Sequence, residues 1–433
     1  MSRAAPRLAF YGDDFTGATD ALATAARAGL RTLLFFDVPT PDQLRRAGAL
    51  DCLGIAGSTR AMPPDVMRAA LLPVVAFLRA LAPRVIHYKV CSTFDSAPQV
   101  GNMAVALEVL RSAAPDAGAA MIVGGQPSLG RYCLFGHLFA AAGDEVHRID
   151  RHPTMSRHPV TPMGEADLRR HLADLGLADV VSVDYRMYAR EARAALSARL
   201  LDLRSTGAVL FDVARAEDLE PVGAALAGMA ESHPVLAAGP SSVIEALGSQ
   251  WGHGAPDVPD GLCAAREPVL LLAGSLSPLT AQQVAAATSY HRVALDPVRL
   301  AHENQAYRDR AACMIARHLR QGHHVLACIE NTRGGRTDGV HSHRLAHAGG
   351  LLLAAILREW PVRRLGVAGG DSSSLAMQAL DAWGLSYLRR IAPGVALCRL
   401  HSDAASLDGM EVMLKGGQMG PVDLFERFVH GTA

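Results

Sequence analysis

The chain has 433 residues, half of them hydrophobic, and a formal net charge of zero from 42 Lys+Arg against 42 Asp+Glu. At roughly 150 residues per domain this length points to two domains with sizeable cores, and the apolar fraction excludes wholesale disorder. Zero net charge gives no electrostatic reason to expect nucleic acid or an anionic membrane as partner. One imbalance stands out: only Lys89 and Lys415 are lysine, and the other 40 basic residues are arginine. A high-GC genome explains the arginines but not the two exceptions. A compact ammonium and a planar guanidinium are not interchangeable, so both lysines are site candidates.

The first residues, MSRAAPRLAFYGDDF, lack an apolar segment with a cleavage site, and no apolar run is long enough to span a bilayer. Seven cysteines without a C-x-x-C pair argue against a disulfide framework or a zinc site. A soluble, cytoplasmic protein is expected. In chain order, RLAFYG reads as a strand running into the helical DDFTGATDALATAARAG. RTLLFFD, then CLGIAG with a helix at Pro64–Leu81, and VIHYKV follow. AAMIVGG precedes a segment near Tyr132–Ala142, and VVSVDY, AVLFDV and PVLAAG continue the series. Residues 248–268 are rich in Gly and Pro and read as a linker. The pattern then restarts with EPVLLLAGS, a helix from about Leu279, HRVALD, a helix near Tyr307–Gln321, HHVLACIE and a helix near Arg344–Glu359. RRLGVAGG, a helix near Ser373–Gly384, ALCRL, EVMLKGG and a last helix near Val422–Val429 complete it. Strands alternating with helices predict an α/β fold with a doubly wound, mainly parallel sheet in the N-terminal domain. The predicted domains are 1–248 and 268–433 with a linker at 249–267, and the active site is expected in the cleft between them.

The loops after the strands carry the candidate chemistry. Asp13 and Asp14 open the first helix. One of them suffices as an N-cap, which leaves the other able to hold a hydroxyl or act as general base. Arg60 follows a strand and can clamp a carboxylate. Lys89 ends another strand and is followed by Ser92 and Thr93. Cys91 reads as a small buried thiol rather than a nucleophile. Three Gly/Ser turns occur in the second half: Gly274–Pro278 with Ser275 and Ser277, Gly369-Gly370-Asp371-Ser372 before a helix placed at Leu375–Ala382, and Lys415-Gly416-Gly417. Glycine turns at helix N-termini suit phosphate, so a nucleotide triphosphate site is predicted there, although the P-loop, protein-kinase and dinucleotide fingerprints are absent. Arg148–Met163 reads as an extended loop reaching the cleft, and His323, His324, His341 and His343 as surface or strand-end histidines.

On these residues the chain resembles the four-carbon acid sugar kinase family. GDDFTGATD is similar to its A-D-D-x-T-G-A signature. The Arg after the second sheet segment, the Lys-x-x-Ser-Thr strand end, the G-S-x-S and G-G-D-[ST] turns and the terminal K-x-G-G occur in the family's order. The resemblance implies an N-terminal substrate domain, a C-terminal nucleotide domain, and ATP with Mg2+ as cofactors. It implies phosphorylation of a four- to five-carbon sugar acid such as threonate, erythronate or a 3-oxo-tetronate. Asp13 and Asp14 would hold substrate hydroxyls, Arg60 the acid's carboxylate, and Lys89, Ser92 and Thr93 the substrate. Ser275, Gly369 to Ser372 and Gly416–Gly417 would contact ATP, with no dedicated metal cage. The family's K-x-D-S-T-L-R-G-N departs here to Lys89-Val-Cys-Ser-Thr with an insertion that begins Phe94-Asp95-Ser96, and this insertion and the loop at 151–163 resemble a divergent subgroup, the 3-oxo-isoapionate kinases. A homodimer is left open, and so are a non-kinase carbohydrate enzyme and a sugar-acid sensor.

Overall fold

The computed structural model describes residues 5–158, 160–189, 193–254, 261–302, 305–329 and 342–432. The chain forms two compact units, Met1–Leu33 with Asp37–Pro256, and Leu34–Phe36 with Asp257–Ala433.

The first unit runs β1 (Leu8–Gly12), α1 (Phe15–Arg27), the start of β2 (Thr32–Phe35, whose Leu34 and Phe35 belong to the second unit), α2 (Pro41–Ala47), β3 (Cys52–Ala56), α3 (Pro64–Leu81), β4 (Val85–Lys89), α4 (Met103–Arg111) and β5 (Ala120–Val123). It continues with β6 (Arg131–Leu134), β7 (His137–Ala142), β8 (Glu145–Arg148), α5 (Leu168–Asp174), β9 (Val180–Val183) and α6 (Arg193–Asp202). It ends with β10 (Ala208–Phe211), α7 (Leu219–Ser232), β11 (Val235–Gly239) and α8 (Ser242–Trp251). Its main sheet has the order β3-β1-β4-β11-β5-β10-β9, and every pairing in it is parallel. β1, β3, β4 and β11 are buried along their whole length, which is why they read as unbroken apolar runs. α1 buries Phe15, Ala18, Leu22 and Ala25, spaced three and four apart, so one stripe faces the core. Burying a side chain the size of Phe15 or Leu22 is worth about 1.5–3 kcal/mol. α3 begins with a proline in its first turn and ends with Ala82 in the left-handed region (φ 48°).

Three differences from the sequence reading have physical causes. The Tyr132–Ala142 segment is a hairpin, β6 with β7, which β8 extends into a separate antiparallel sheet. Arg148–Met163 is not an extended loop. Two short 3-10 turns, Ile149–Arg151 and Met155–Arg157, fold it, and the buried His152 accepts the backbone N–H groups of Thr154 and Met155 at Nδ1 (both 3.1 Å). α8 continues through Trp251, so the first residues assigned to the linker form the last turn of a helix.

The second unit runs β12 (Val269–Ala273), α9 (Pro278–Ala286), β13 (Tyr290–Leu295), α10 (Pro297–His302), α11 (Gln305–Arg320), β14 (His324–Ile329), α12 (Ser342–Glu359) and β15 (Arg364–Ala368). α13 (Gly370–Ala379), β16 (Gly384–Ala392), β17 (Val395–His401), β18 (Glu411–Lys415) and α14 (Leu424–His430) complete it. Its strands are ordered β13-β14-β12-β15-β18-β17-β16, parallel as far as β18 and antiparallel beyond. Leu34 and Phe35 pair antiparallel with Leu385 and Gly384. The sequence reading missed β16, whose Ser-Tyr-Leu-Arg-Arg stretch is only partly buried and breaks the apolar run. It also placed Gly384 in a helix; α13 instead starts at Gly370, so the Gly-Asp-Ser residues are its first turn rather than a loop before it. The last helix begins at Leu424 rather than Val422. Of the histidines left unassigned, His324 accepts the Val269 N–H (3.0 Å), while His341 and the His343 side chain lie outside the described residues. No helix among the described residues is long and apolar enough to cross a membrane.

Candidate active site

In open α/β sheets, ligands bind beyond the carboxyl ends of the strands where the strand order reverses. In the first unit that reversal is at β1, since the chain goes to β3 on one side and to β4 on the other. Gly12 of β1 is in register with Ala56 of β3 and with Lys89 of β4. Asp13 and Asp14, Arg60 and Lys89 therefore come from three adjacent strand ends.

Asp14 is the N-cap of α1. Its Oδ1 accepts the Gly17 N–H (2.9 Å) and its Oδ2 the Thr16 hydroxyl (2.5 Å). Asp13 is not free, contrary to the sequence expectation. Arg60 donates to it from Nε (3.1 Å) and Nη2 (2.9 Å), and Nη2 also reaches Asp14 Oδ1 (3.1 Å). The fork predicted for a substrate carboxylate thus grips the chain's own Asp13, and Nη1 makes no hydrogen bond among the described residues. A β-carbon on Gly17 would lie 2.4 Å from both Lys89 Nζ and Asp14 Oδ1, so glycine there lets the ammonium sit at the mouth of α1.

Both carboxylates are buried, yet they titrate apart. Burial, and after it the charge of Asp14, push Asp13 up to about 6 against the opposing pull of Arg60 and Lys89. Asp14 is also penalised by burial, but Arg60, Lys89, the Thr16 hydroxyl and the Gly17 amide together hold it below the ordinary carboxylate range. Such a split separates a group able to exchange a proton near neutrality from one that stays charged.

Ser92 and Thr93 follow Lys89 and are buried. Thr93 does not present a free hydroxyl; it donates toward Asp95 Oδ1 and lies 2.9 Å from Cys91 Sγ. Burial and Asp95 push the Cys91 thiol up, which removes it as a nucleophile at neutral pH. Asp95, to which the sequence reading gave no role, accepts the Thr161 hydroxyl at Oδ2 (3.2 Å). Phe94 is held in the left-handed region (φ 54°), with its carbonyl 3.0 Å from His171 Nε2. The stretch after Lys89 and the Arg148–Met163 stretch therefore meet at Asp95.

In the second unit the order reverses between β12 and β15, and Ala273, Ala368 and Lys415 share one register row. The three predicted turns converge there. Ser275 donates its N–H to Ala368 (3.0 Å), and Gly369 donates to Lys415 (2.8 Å). A β-carbon on Gly274 would lie 2.2 Å from Ser372 Oγ, and one on Gly417 2.7 Å from Ser275 Oγ. Gly369 (φ 129°) precedes Gly370, Asp371 and Ser372 in the first turn of α13, where N–H groups lack helical partners. Ser277 caps α9 and donates to the Gly417 carbonyl (2.6 Å). Lys415 does not face an open turn as the sequence suggested. It is fully buried, and its ammonium is held by Thr280 and Gln283 of α9, which sequence reasoning had no signal to find. No group of three or more His, Cys, Asp or Glu among the described residues is placed to hold a metal ion.

Residues 8–247 match the family model of a sugar-binding N-terminal domain and residues 270–425 that of a nucleotide-binding C-terminal domain. The chain belongs to the four-carbon acid sugar kinase family. A 3-oxo-isoapionate kinase of Paraburkholderia graminis is 36% identical, the alignment covering 96% of this chain and 93% of that protein. A 3-oxo-tetronate kinase of Methylobacterium radiotolerans is 32% identical over 97% of this chain and 98% of the relative. A solved structure of a Salmonella typhimurium LT2 protein has the same fold, with TM-score 0.77, 24% identity and 98% of each chain covered.

Proposed function

We propose that the protein is an ATP-dependent kinase that phosphorylates a hydroxyl of a four- to five-carbon sugar acid of the 3-oxo-tetronate or 3-oxo-isoapionate type. The observation that carries this reading is the ionic group at the end of β1: a buried carboxyl pushed up to about 6 beside a guanidinium and an ammonium.

Phosphoryl transfer leaves little covalent work for the protein; it needs positioning and charge stabilisation. Asp13 accepts the proton of the attacking hydroxyl, for which a group titrating near the working pH is suited. Asp14 stays ionised as cap and keeps Thr16 and Gly17 in place. Arg60 orients Asp13 with one edge and offers Nη1 to the acid's carboxylate. Lys89 offsets charge on the transferring phosphoryl group. Ser92 and Thr93 line the same strand end. The turns carrying Ser275, Ser277, Gly369, Gly370, Ser372, Gly416 and Gly417 cradle the phosphates. Magnesium would arrive with ATP and offset phosphate charge, and Asp371, exposed in the first turn of α13, would offer it a carboxylate. The seven free thiols suit the reducing cytoplasm.

The test is ADP release with ATP·Mg2+ and a panel of threonate, erythronate, 3-oxo-tetronates and 3-oxo-isoapionate. Acid-dependent ADP formation with at least one of them is expected. A panel that yields none overturns the reading.

A further inference from the structure

Lys415 ends β18 and has no exposed surface (0%). A buried ammonium is costly unless its charge is compensated. Nζ donates to Thr280 Oγ1 (3.0 Å), Gln283 Oε1 (2.6 Å) and the Gly417 carbonyl (3.4 Å). All three are uncharged acceptors. The ring of Phe425 lies 5.9 Å away on another side. Among the described residues no charged group acts on Nζ from α9, α14, the following turn or α13, which packs against β18 and carries Asp371; burial is the one cause of its shift. Glu426, the acid next to Phe425, is turned to Ser289, taking its N–H (2.9 Å) and hydroxyl (2.7 Å).

The three acceptors match the three N–H bonds of an ammonium. A neutral amine has two N–H bonds and a lone pair, so one acceptor would face that lone pair. Hydrogen bonding therefore favours the proton, while burial alone pulls the pKa down to about 8. The balance is close, and a nearby anion decides it.

The same contacts shape the turn. Ser277, Thr280 and Lys415 all donate to the Gly417 carbonyl, which draws it toward α9. Because the peptide is planar and trans, the following Gln418 N–H points the opposite way. Gln283 Nε2 secures the far side of the turn through the carbonyls of Met419 (3.1 Å) and Pro421 (2.9 Å). The lysine thus lies behind the turn, and the turn's outward amide lies in front.

We propose that Lys415 never touches the nucleotide and is instead the built-in counter-charge of the phosphate cradle: a positioning residue that holds the Gly416–Gly420 turn against α9 and takes a proton from solvent onto Nζ when phosphate binds in front of it. This rests on the kinase reading above.

Calorimetric titration of the full chain with ADP, in buffers of different ionisation enthalpy, tests it. Near pH 8, about half a proton is taken up per ADP bound, and the uptake shrinks toward pH 7. Lys415→Arg, permanently charged, binds ADP without this uptake, and Lys415→Met loses the uptake and binds more weakly. ADP binding that is independent of buffer near pH 8 in the unsubstituted protein overturns the proposal, as does undiminished uptake in Lys415→Arg. The first measurement decides even if a substituted chain does not fold. Absence of ADP binding at every pH overturns the kinase reading and this inference with it.

Discussion

Lys89 and Lys415 each end a strand at the carboxyl edge of a parallel sheet, yet their surroundings are electrostatic opposites. Lys89 shares its strand end with Asp13, Asp14 and Arg60, so two acids and two bases nearly cancel. Lys415 is surrounded by hydroxyl, amide, carbonyl and ring, and among the described residues no acid cancels it. A self-balanced group can hold a ligand of small charge and tune one carboxyl among the four. An unbalanced cation favours a strongly anionic ligand. On the reading proposed above, the difference divides the labour of a kinase: proton handling on one unit, polyphosphate on the other.

Substitutions can break or sharpen that division. Asp13→Asn removes the proposed proton acceptor and should lower kcat about 100- to 10,000-fold while the KM for ATP is unchanged, as steady-state ADP release would show. Lys89→Met should lower kcat about 100-fold and leave ADP affinity intact, the reverse of Lys415→Met; a Lys89→Met chain that lost ADP binding instead would break the comparison. Arg60→Ala takes from two buried carboxylates the cation that hydrogen-bonds them, leaving Lys89 alone beside both, and should destabilise the first unit by about 3 kcal/mol in urea unfolding.

The pH dependence carries a sign for each carboxyl. Activity should fall as pH drops through about 6, where Asp13 becomes protonated. For stability the same group works in reverse: its folded pKa is raised, so its contribution is complete below the ordinary carboxylate range and is lost as pH rises through about 6. Asp14, held low, contributes above that range and loses its contribution as pH falls below it. Thermal melts across this window should show the loss around pH 6 in the unsubstituted chain and not in Asp13→Asn. The smallest effect expected is that of Ser277→Ala, which removes the cap of α9 at a cost of about 1 kcal/mol and lowers the melting midpoint by about 2–4 °C.

Much of this architecture is written locally. The α3 boundaries follow from a proline start and apolar spacing, and the strand ends bearing Asp13, Arg60 and Lys89 follow from apolar runs closed by polar residues. What depends on distant neighbours was not legible. Arg60 grips Asp13, 47 positions away, and no spacing rule distinguishes that partner from a substrate's carboxylate. Lys415 was identified as unusual by composition alone, but its partners Thr280 and Gln283 lie 135 and 132 residues upstream. β16 escaped because arginines interrupt it, and the Gly-Asp-Ser turn read as a loop because glycine and serine are poor helix formers, although the first turn of a helix accepts them.

The meeting of Thr161 with Asp95 bears on how this chain can be altered. The Phe94–Ser96 insertion and the segment around Thr161 are far apart in sequence but form one mechanical joint. Transplanting the first stretch alone into a relative would leave Asp95 with Thr93 but without Thr161, and transplanting the second alone would leave the Thr161 hydroxyl with His158 but without its acid. Loop exchange between these enzymes should therefore succeed only when both stretches travel together, and the two should drift through evolution as a single inherited unit.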